Sequence, residues 1–250
     1  MPEAVLAALS LPGTAWVFGV TLIAGVVYGF AGFGSALIFM PVATRVLPPE
    51  VAIGAFSLSA LASLFTVVPG AWLVADRPAA LRMIAAAIIA TPLGVWLLRV
   101  AETDAIRLAI SIVVLVTLAA LIAGWRFRMR PGRMAQAGVG LASGVTGGAT
   151  GLNGPVVILF NFGAGLPAAQ VRANTAVFLT ISSLSFLPQL WVQGMLGPAT
   201  AVLGLLLLPI YGLGTWIGAR AFRPGREAIY RWIAYAIIAA AGFVGLPIWE

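Results

Sequence analysis

The sequence predicts an all-α polytopic membrane protein made of two inverted repeats, each a glycine-broken helical hairpin followed by about three transmembrane helices. Three observations carry this prediction: the composition, the lengths of the uncharged runs, and an internal repeat. Of 250 residues, 62% are apolar and 8% charged, against roughly 25% charged in an ordinary soluble domain. That excludes a soluble globule. At about 20 apolar residues per crossing, the length accommodates roughly eight helices and no separate extramembrane domain. The net charge of +7 comes from fourteen arginines and no lysine. These arginines stand between apolar runs, as the positive-inside bias requires, and form no contiguous basic face, so nucleic acid is not an expected partner. Neither histidine nor cysteine is present, which excludes disulfides, thiol chemistry, histidine-ligated haem and histidine-rich metal sites. No cofactor and no metal are expected.

The elements follow from the uncharged runs: Ala4 to Thr44, Val51 to Ala75, Met83 to Leu98, Leu108 to Trp125, Met134 to Val171, Ala173 to Ala219 and Trp232 to Trp249. The N-terminal MPEAVLAALSLPGTAW lacks a basic region and runs into apolar sequence far past signal-peptide length, so it reads as a retained membrane segment. The runs from Val51, Met83, Leu108 and Trp232 have the length of one helix each, with flanking arginines able to snorkel to the interface. The run from Ala173 holds two helices separated by the turn-like QGMLGP at Gln193 to Pro198. The runs from Ala4 and Met134 are too long for one helix. Each is interrupted by glycine, as GFAGFGS at Gly29 to Ser35 and GGATGLNGP at Gly147 to Pro155, and reads as helix, break, helix.

Sliding the chain against itself reveals a duplication at offsets of 119 to 124. Gly25, Gly29 and Gly32 fall on Gly144, Gly148 and Gly151, and Pro69 and Trp72 on Pro188 and Trp191. Gly34 meets Gly154, Val51 meets Val171, and Leu93, Gly94 and Trp96 meet Leu213, Gly214 and Trp216. Asp104 meets Glu227, and Trp125 meets Trp249. Six of the eight tryptophans pair in order, which chance coincidence of glycine and leucine does not produce. Residues 1–124 form repeat 1, 125–133 an arginine-rich cytoplasmic linker and 134–250 repeat 2, together a single transmembrane domain.

Orientation follows from parity. If each broken segment crosses the bilayer simply, the arginines divide six against eight and show no bias. If each is a hairpin, eleven arginines (77, 82, 126, 128, 130, 133, 172, 220, 223, 226, 231) share one side and Arg45, Arg99 and Arg107 the other. The second division is the bias of a cytoplasmic face. It leaves three simple crossings per half, inverts the second repeat and puts both termini outside. Inverted repeats with broken helices define transporters whose substrate site lies at the breaks.

All seven acids lie near run ends or termini, so no intramembrane carboxylate offers a proton relay. The breaks supply backbone instead. Irregular backbone at membrane depth is tolerated only where it lines a cavity or is buried in protein, and half-helix N-termini there present free N–H groups and positive dipole ends, which suit an anion. Polar side chains near the breaks are Ser35, Thr146, Thr150, Asn153 and Asn161. VRANTAVFLTISS adds Arg172, Asn174, Thr175, Thr180, Ser182 and Ser183 along one helix, opposite Ser57, Ser59, Ser63 and Thr66. Small hydroxyl residues also serve ordinary helix packing, as does the spacing of Gly25 and Gly29 and of Gly144 and Gly148. For Asn153 and Asn161 a site is the stronger reading, since a primary amide in hydrocarbon is costly without a partner. Arg172 either caps a cytoplasmic helix end or gives an arriving anion its first bidentate contact. Arg99 and Arg220 read as interfacial anchors.

At GVVYGFAGFGSALIFMPV and again at GVTGGATGLNGPVVILFNFGAGLPAAQVRANTAVF, the chain resembles the sulfite exporter TauE/SafE family, also called the toluene sulfonate uptake permeases. The resemblance covers almost the whole chain. It implies a multi-pass transporter of the bacterial inner membrane that moves sulfite, sulfonates or related small organic anions. By position, Gly32, Gly34, Gly151, Asn153, Gly154 and Pro155 would form the breaks. Phe33 stands where Asn153 stands in the second half, so the halves are not equivalent.

The residues expected at the substrate are therefore Gly32, Gly34, Ser35, Gly151, Asn153, Gly154, Asn161, Arg172, Asn174 and Thr175. The expected partners are a small anion and the lipid bilayer, and a homodimer is compatible with the chain. Export needs no buried carboxylate, because 100 mV inside-negative drives an anion outward by about 2.3 kcal/mol per charge. The alternative is an uptake permease coupled to an ion held by carbonyls at the breaks. GFGS around Ser35 resembles a serine nucleophile motif, but without histidine, lysine or an intramembrane acid no base activates it, and an enzyme is not expected. A membrane scaffold fits the costly broken helices poorly.

Overall fold

The computed structural model describes residues 13–124, 132–222 and 227–246. The described residues are helical and contain no strand. In order they form α1 (Thr14–Ala31), α2 (Ser35–Val46), α3 (Pro49–Ser59), a 3₁₀ turn (Ala60–Ala62), α4 (Ser63–Thr66), α5 (Val68–Val74), α6 (Arg77–Val100) and α7 (Thr103–Ile122). The second half repeats the series with α8 (Arg133–Thr150), α9 (Gly154–Gly163), α10 (Ala168–Leu184), α11 (Phe186–Val192), α12 (Pro198–Ala221) and α13 (Glu227–Val244). Lengths match as well as order: α1 and α8 have 18 residues each, and α6 and α12 have 24. Six segments among the described residues are long and apolar enough to cross a membrane: Thr14–Ala31, Pro49–Thr66, Arg77–Val100, Thr103–Ile122, Ala168–Val192 and Pro198–Ala221. The chain is a multi-pass membrane protein.

Both glycine segments break the helix where expected, and the cause is local. Gly32 and Gly34 take φ of 77° and 93°, and Gly151 takes 74°, a left-handed backbone that side chains with a Cβ adopt at a cost. The Gly32 and Gly151 N–H groups close α1 and α8 onto the Tyr28 and Gly147 carbonyls. After each break the chain turns back. Gly13, before α1, lies against the Val46 side chain at the end of α2, and the Ser143 hydroxyl, two turns before the end of α8, donates to the Asn153 carbonyl.

One expectation is corrected. The run from Val51 to Ala75 is not one regular helix but α3, a 3₁₀ turn, α4 and α5. Pro69 has no N–H to continue the ladder, and its ring opposes the carbonyl four residues back, so the helix restarts at Val68. Pro188 does the same between α10 and α11, where a turn falls at Ser185. The paired prolines of the repeat are thus paired helix breaks.

The most extensive contacts are reciprocal between the halves, α1 with α12 and α8 with α6. Both pairs run parallel: Gly25 meets Tyr211 and Gly214 while Gly29 meets Thr215 and Gly218, and Gly144 meets Ala87 while Gly148 meets Thr91 and Gly94. The spaced glycines therefore serve close backbone packing. The pairing also corrects one register. Sequence similarity sets Gly94 on Gly214, but Gly94 packs on Gly148 and the Val145 carbonyl just as Gly218 packs on Gly29 and the Val26 carbonyl. The structural equivalent of Gly94 is Gly218, one helical turn further on.

The nine described arginines divide between the two ends of the bundle. Arg45 donates to the Val244 carbonyl and Arg107 to the Thr44 carbonyl, at the end where Arg99 closes α6. Arg77, Arg82, Arg133, Arg172, Arg220 and Arg231 sit at the other, tied together by Arg82 donating to Gln136 and by Arg172 lying over the Phe222 ring. Arg126, Arg128, Arg130, Arg223 and Arg226, with most of the linker 125–133, lie outside the described residues, as do both chain termini.

Candidate functional site

Two cavities lie next to the breaks. The smaller, of about 20 Å³, is lined by the first turns of both short helices, Gly34 to Leu37 of α2 and Asn153 to Pro155 at the start of α9. Tyr28, Ser63, Thr180, Ser183 and Tyr211 complete its polar wall. It has room for about one water. The first N–H groups of α2 and α9, apart from Pro155, which has none, have no partner within their own helices, so both starts contribute donors and partial positive charge here. No charged residue lines it.

The larger cavity, of about 490 Å³, lies at the arginine-rich end, between the start of α10, α5, Phe222 and the end of α1. Its charged residues among those described are Arg172 and Arg231. Arg172 sits in the second turn of α10, donates to the Gly29 carbonyl at 2.5 Å and covers the Phe222 ring at 4.5 Å. Its stem packs against Gly32, where a Cβ would stand 2.5 Å from Cγ. The break thus needs glycine for its fold and for the arginine. A single layer separates the cavities. Phe33 faces the larger one and meets Phe162 edge-on at 6.0 Å. The Tyr28 hydroxyl bridges the Ala176 carbonyl at 2.9 Å and Thr180 Oγ1 at 2.8 Å, with Ala176 lining the larger cavity and Thr180 the smaller.

Of the residues expected at the substrate, Gly34, Ser35, Asn153 and Gly154 line the small cavity, and Arg172 and Thr175 line the large one. Asn153 is 4% exposed and donates from Nδ2 to Ser182 Oγ at 2.8 Å and Ser183 Oγ at 3.2 Å. Asn161 lines neither cavity but donates to Thr175 Oγ1 at 3.0 Å. Asn174 is turned away, its Oδ1 accepting the Asp76 N–H at 2.7 Å where Asp76 caps α6. Gly32 and Gly151 also stand outside the walls, Gly151 against Met40 and Ile53. Sequence reasoning missed Tyr28 and Tyr211, both fully buried. A signal was present: the chain has four tyrosines, and Tyr28 precedes Gly32 by one turn.

The described residues form a helical bundle that crosses the membrane repeatedly and brings two broken helices to one buried cavity. The chain matches the family described as Sulfite exporter TauE/SafE over residues 17–244, and it belongs to that family. No curated protein and no solved structure matches it.

Proposed function

We propose that this transporter exports sulfite, a sulfonate or a related small organic anion across a bacterial inner membrane, binding it at the first turns of α2 and α9, where the cavity, sized for about one water in this conformation, widens to admit it. The observation that carries the reading is the convergence of both first turns on one buried cavity free of charged side chains. Free N–H groups at two helix starts suit an anion, and among the described residues no carboxylate lines either cavity to carry a proton in exchange. Arg172 and Arg231 attract the anion into the larger cavity before it passes the Phe33 and Tyr28 layer. The test is efflux of radiolabelled sulfite and methanesulfonate from proteoliposomes at several imposed potentials. Flux that follows the potential is expected; the absence of flux for either anion under any potential or ion gradient would sink the assignment.

The same proposal makes 1–124 and 134–250 inverted repeats, with the arginine-rich end cytoplasmic. Its support is that α2 and α9 turn back after the breaks while α1 runs parallel to α12 and α8 to α6. The chain has no cysteine, so orientation can be read with single-cysteine variants. Pro78→Cys, at the exposed start of α6, is expected to react with an impermeant maleimide only after the cells are opened, and Ala101→Cys, exposed at its other end, in intact cells. The reverse labelling would overturn the orientation.

A further inference from the structure

We infer that the small cavity takes its substrate as a monoanion, held by neutral donors with no ion-pair partner; this rests on the reading of that cavity as the substrate site. The argument starts from Ser63, the first residue of α4. Its side chain is 1% exposed and lines the cavity, and its buried Oγ meets the Tyr211 phenol but makes no well-formed hydrogen bond. A buried hydroxyl left unpaired is costly and rare in native interiors, and an acceptor arriving in the cavity removes the cost. The Ser35 and Ser63 hydroxyls face the Tyr211 phenol, and Thr180 shares its hydrogen bond with Tyr28. With the N–H groups of two helix starts, this wall complements negative charge. Hydroxyl oxygens also ligate cations, but the positive helix ends and the missing carboxylates disfavour one here.

The magnitude of the charge follows from what is not in the wall. The cost of dehydrating an ion rises with the square of its charge, whereas attraction to neutral dipoles rises only in proportion to it. A dianion in a buried site is therefore held less favourably than a monoanion unless a cationic partner joins the wall, usually an arginine fork. The guanidinium of Arg172 lines the other cavity, engaged by the Gly29 carbonyl and the Phe222 ring. It stands on the far side of the Tyr28 layer.

The test uses the purified full chain in proteoliposomes, with sulfite flux challenged by methanesulfonate or sulfate, tetrahedral ions of similar shape that differ by one charge. Methanesulfonate is expected to inhibit at least about tenfold more strongly, the scale of one hydrogen-bonded charge correctly paired. Sulfate inhibiting equally or better would overturn the proposal. A tenfold sulfite gradient should be nulled by about 59 mV for one charge per turnover, against about 30 mV for two. Ser63→Ala breaks no well-formed hydrogen bond in the structure and is expected to fold like the parent while raising the half-saturating sulfite concentration about tenfold. An unchanged value removes Ser63 from the site. If sulfite does not move at all, the transport reading fails separately. Binding of the two competitors in detergent, followed by tryptophan fluorescence, still decides the charge: tighter methanesulfonate sustains the inference and tighter sulfate ends it.

Discussion

Gly29→Leu is expected to yield essentially no folded transporter, while Gly19→Leu in the same helix is expected to fold and transport like the parent. A Cβ on Gly29 would overlap the Thr215 carbonyl oxygen and stand 2.7 Å from the Ala219 nitrogen, both backbone atoms of α12 that no rotamer change moves aside. Nothing lies within 4 Å of the corresponding position at Gly19. Overpacking a tight interface costs about 1–3 kcal/mol when neighbours can shift and more when they are backbone. Here the two halves are held together by this contact and its reciprocal partner between α6 and α8, so parting α1 from α12 opens the bundle. Yield of monodisperse protein after detergent extraction is the measurement. Recovery of Gly29→Leu at the level of Gly19→Leu would show that the α1 and α12 contact does not support the fold.

Asn153→Leu has the second largest expected effect, and it falls on flux. Leucine has the heavy-atom branching of asparagine, with a larger volume, but cannot donate to Ser182 and Ser183, which Asn153 holds at 2.8 and 3.2 Å. Losing buried hydrogen bonds of this kind costs about 1–3 kcal/mol, which a bundle of this size is expected to survive. Ser183 and the first turn of α9, however, form one wall of the small cavity. With their orientation lost, sulfite flux per folded molecule is expected to fall at least about tenfold, each tenfold corresponding to 1.4 kcal/mol. A folded Asn153→Leu protein with parental flux would remove the second break from the site.

The two breaks were legible because their cause is local. A glycine needing positive φ shows itself in a long uncharged run, and a run of 41 residues from Ala4 to Thr44 is too long for one crossing whatever surrounds it. The break within the first simple crossing went unread. Pro69 was noted only as half of a repeat pair, although its missing N–H carries the same kind of information. The site was partly legible. Asn153 stood out because an amide in hydrocarbon demands a partner, and Ser35 because it opens a half-helix. Asn174 looked equivalent to Thr175 beside it, yet neighbouring positions on a helix diverge by about 100°, given 3.6 residues per turn. Thr175 lines a cavity and Asn174 caps the approach to α6.

The sequence by itself determined that this chain lives in a membrane and where its two glycine segments break the helix, since hydrophobic length and glycine geometry act along the chain. Only the tertiary structure decided which glycines bend the backbone and which let two helices touch, because both tasks need the same missing Cβ. Tertiary contacts alone showed that Gly94 answers to Gly218 rather than to Gly214, since one turn of a helix changes its neighbours but hardly its composition. They also brought Tyr28, Ser63 and Tyr211, drawn from three helices far apart in the chain, to one uncharged cavity. Which hydroxyls share a cavity depends on which helices are adjacent, and adjacency in a bundle is set by packing between segments that carry no mark of one another.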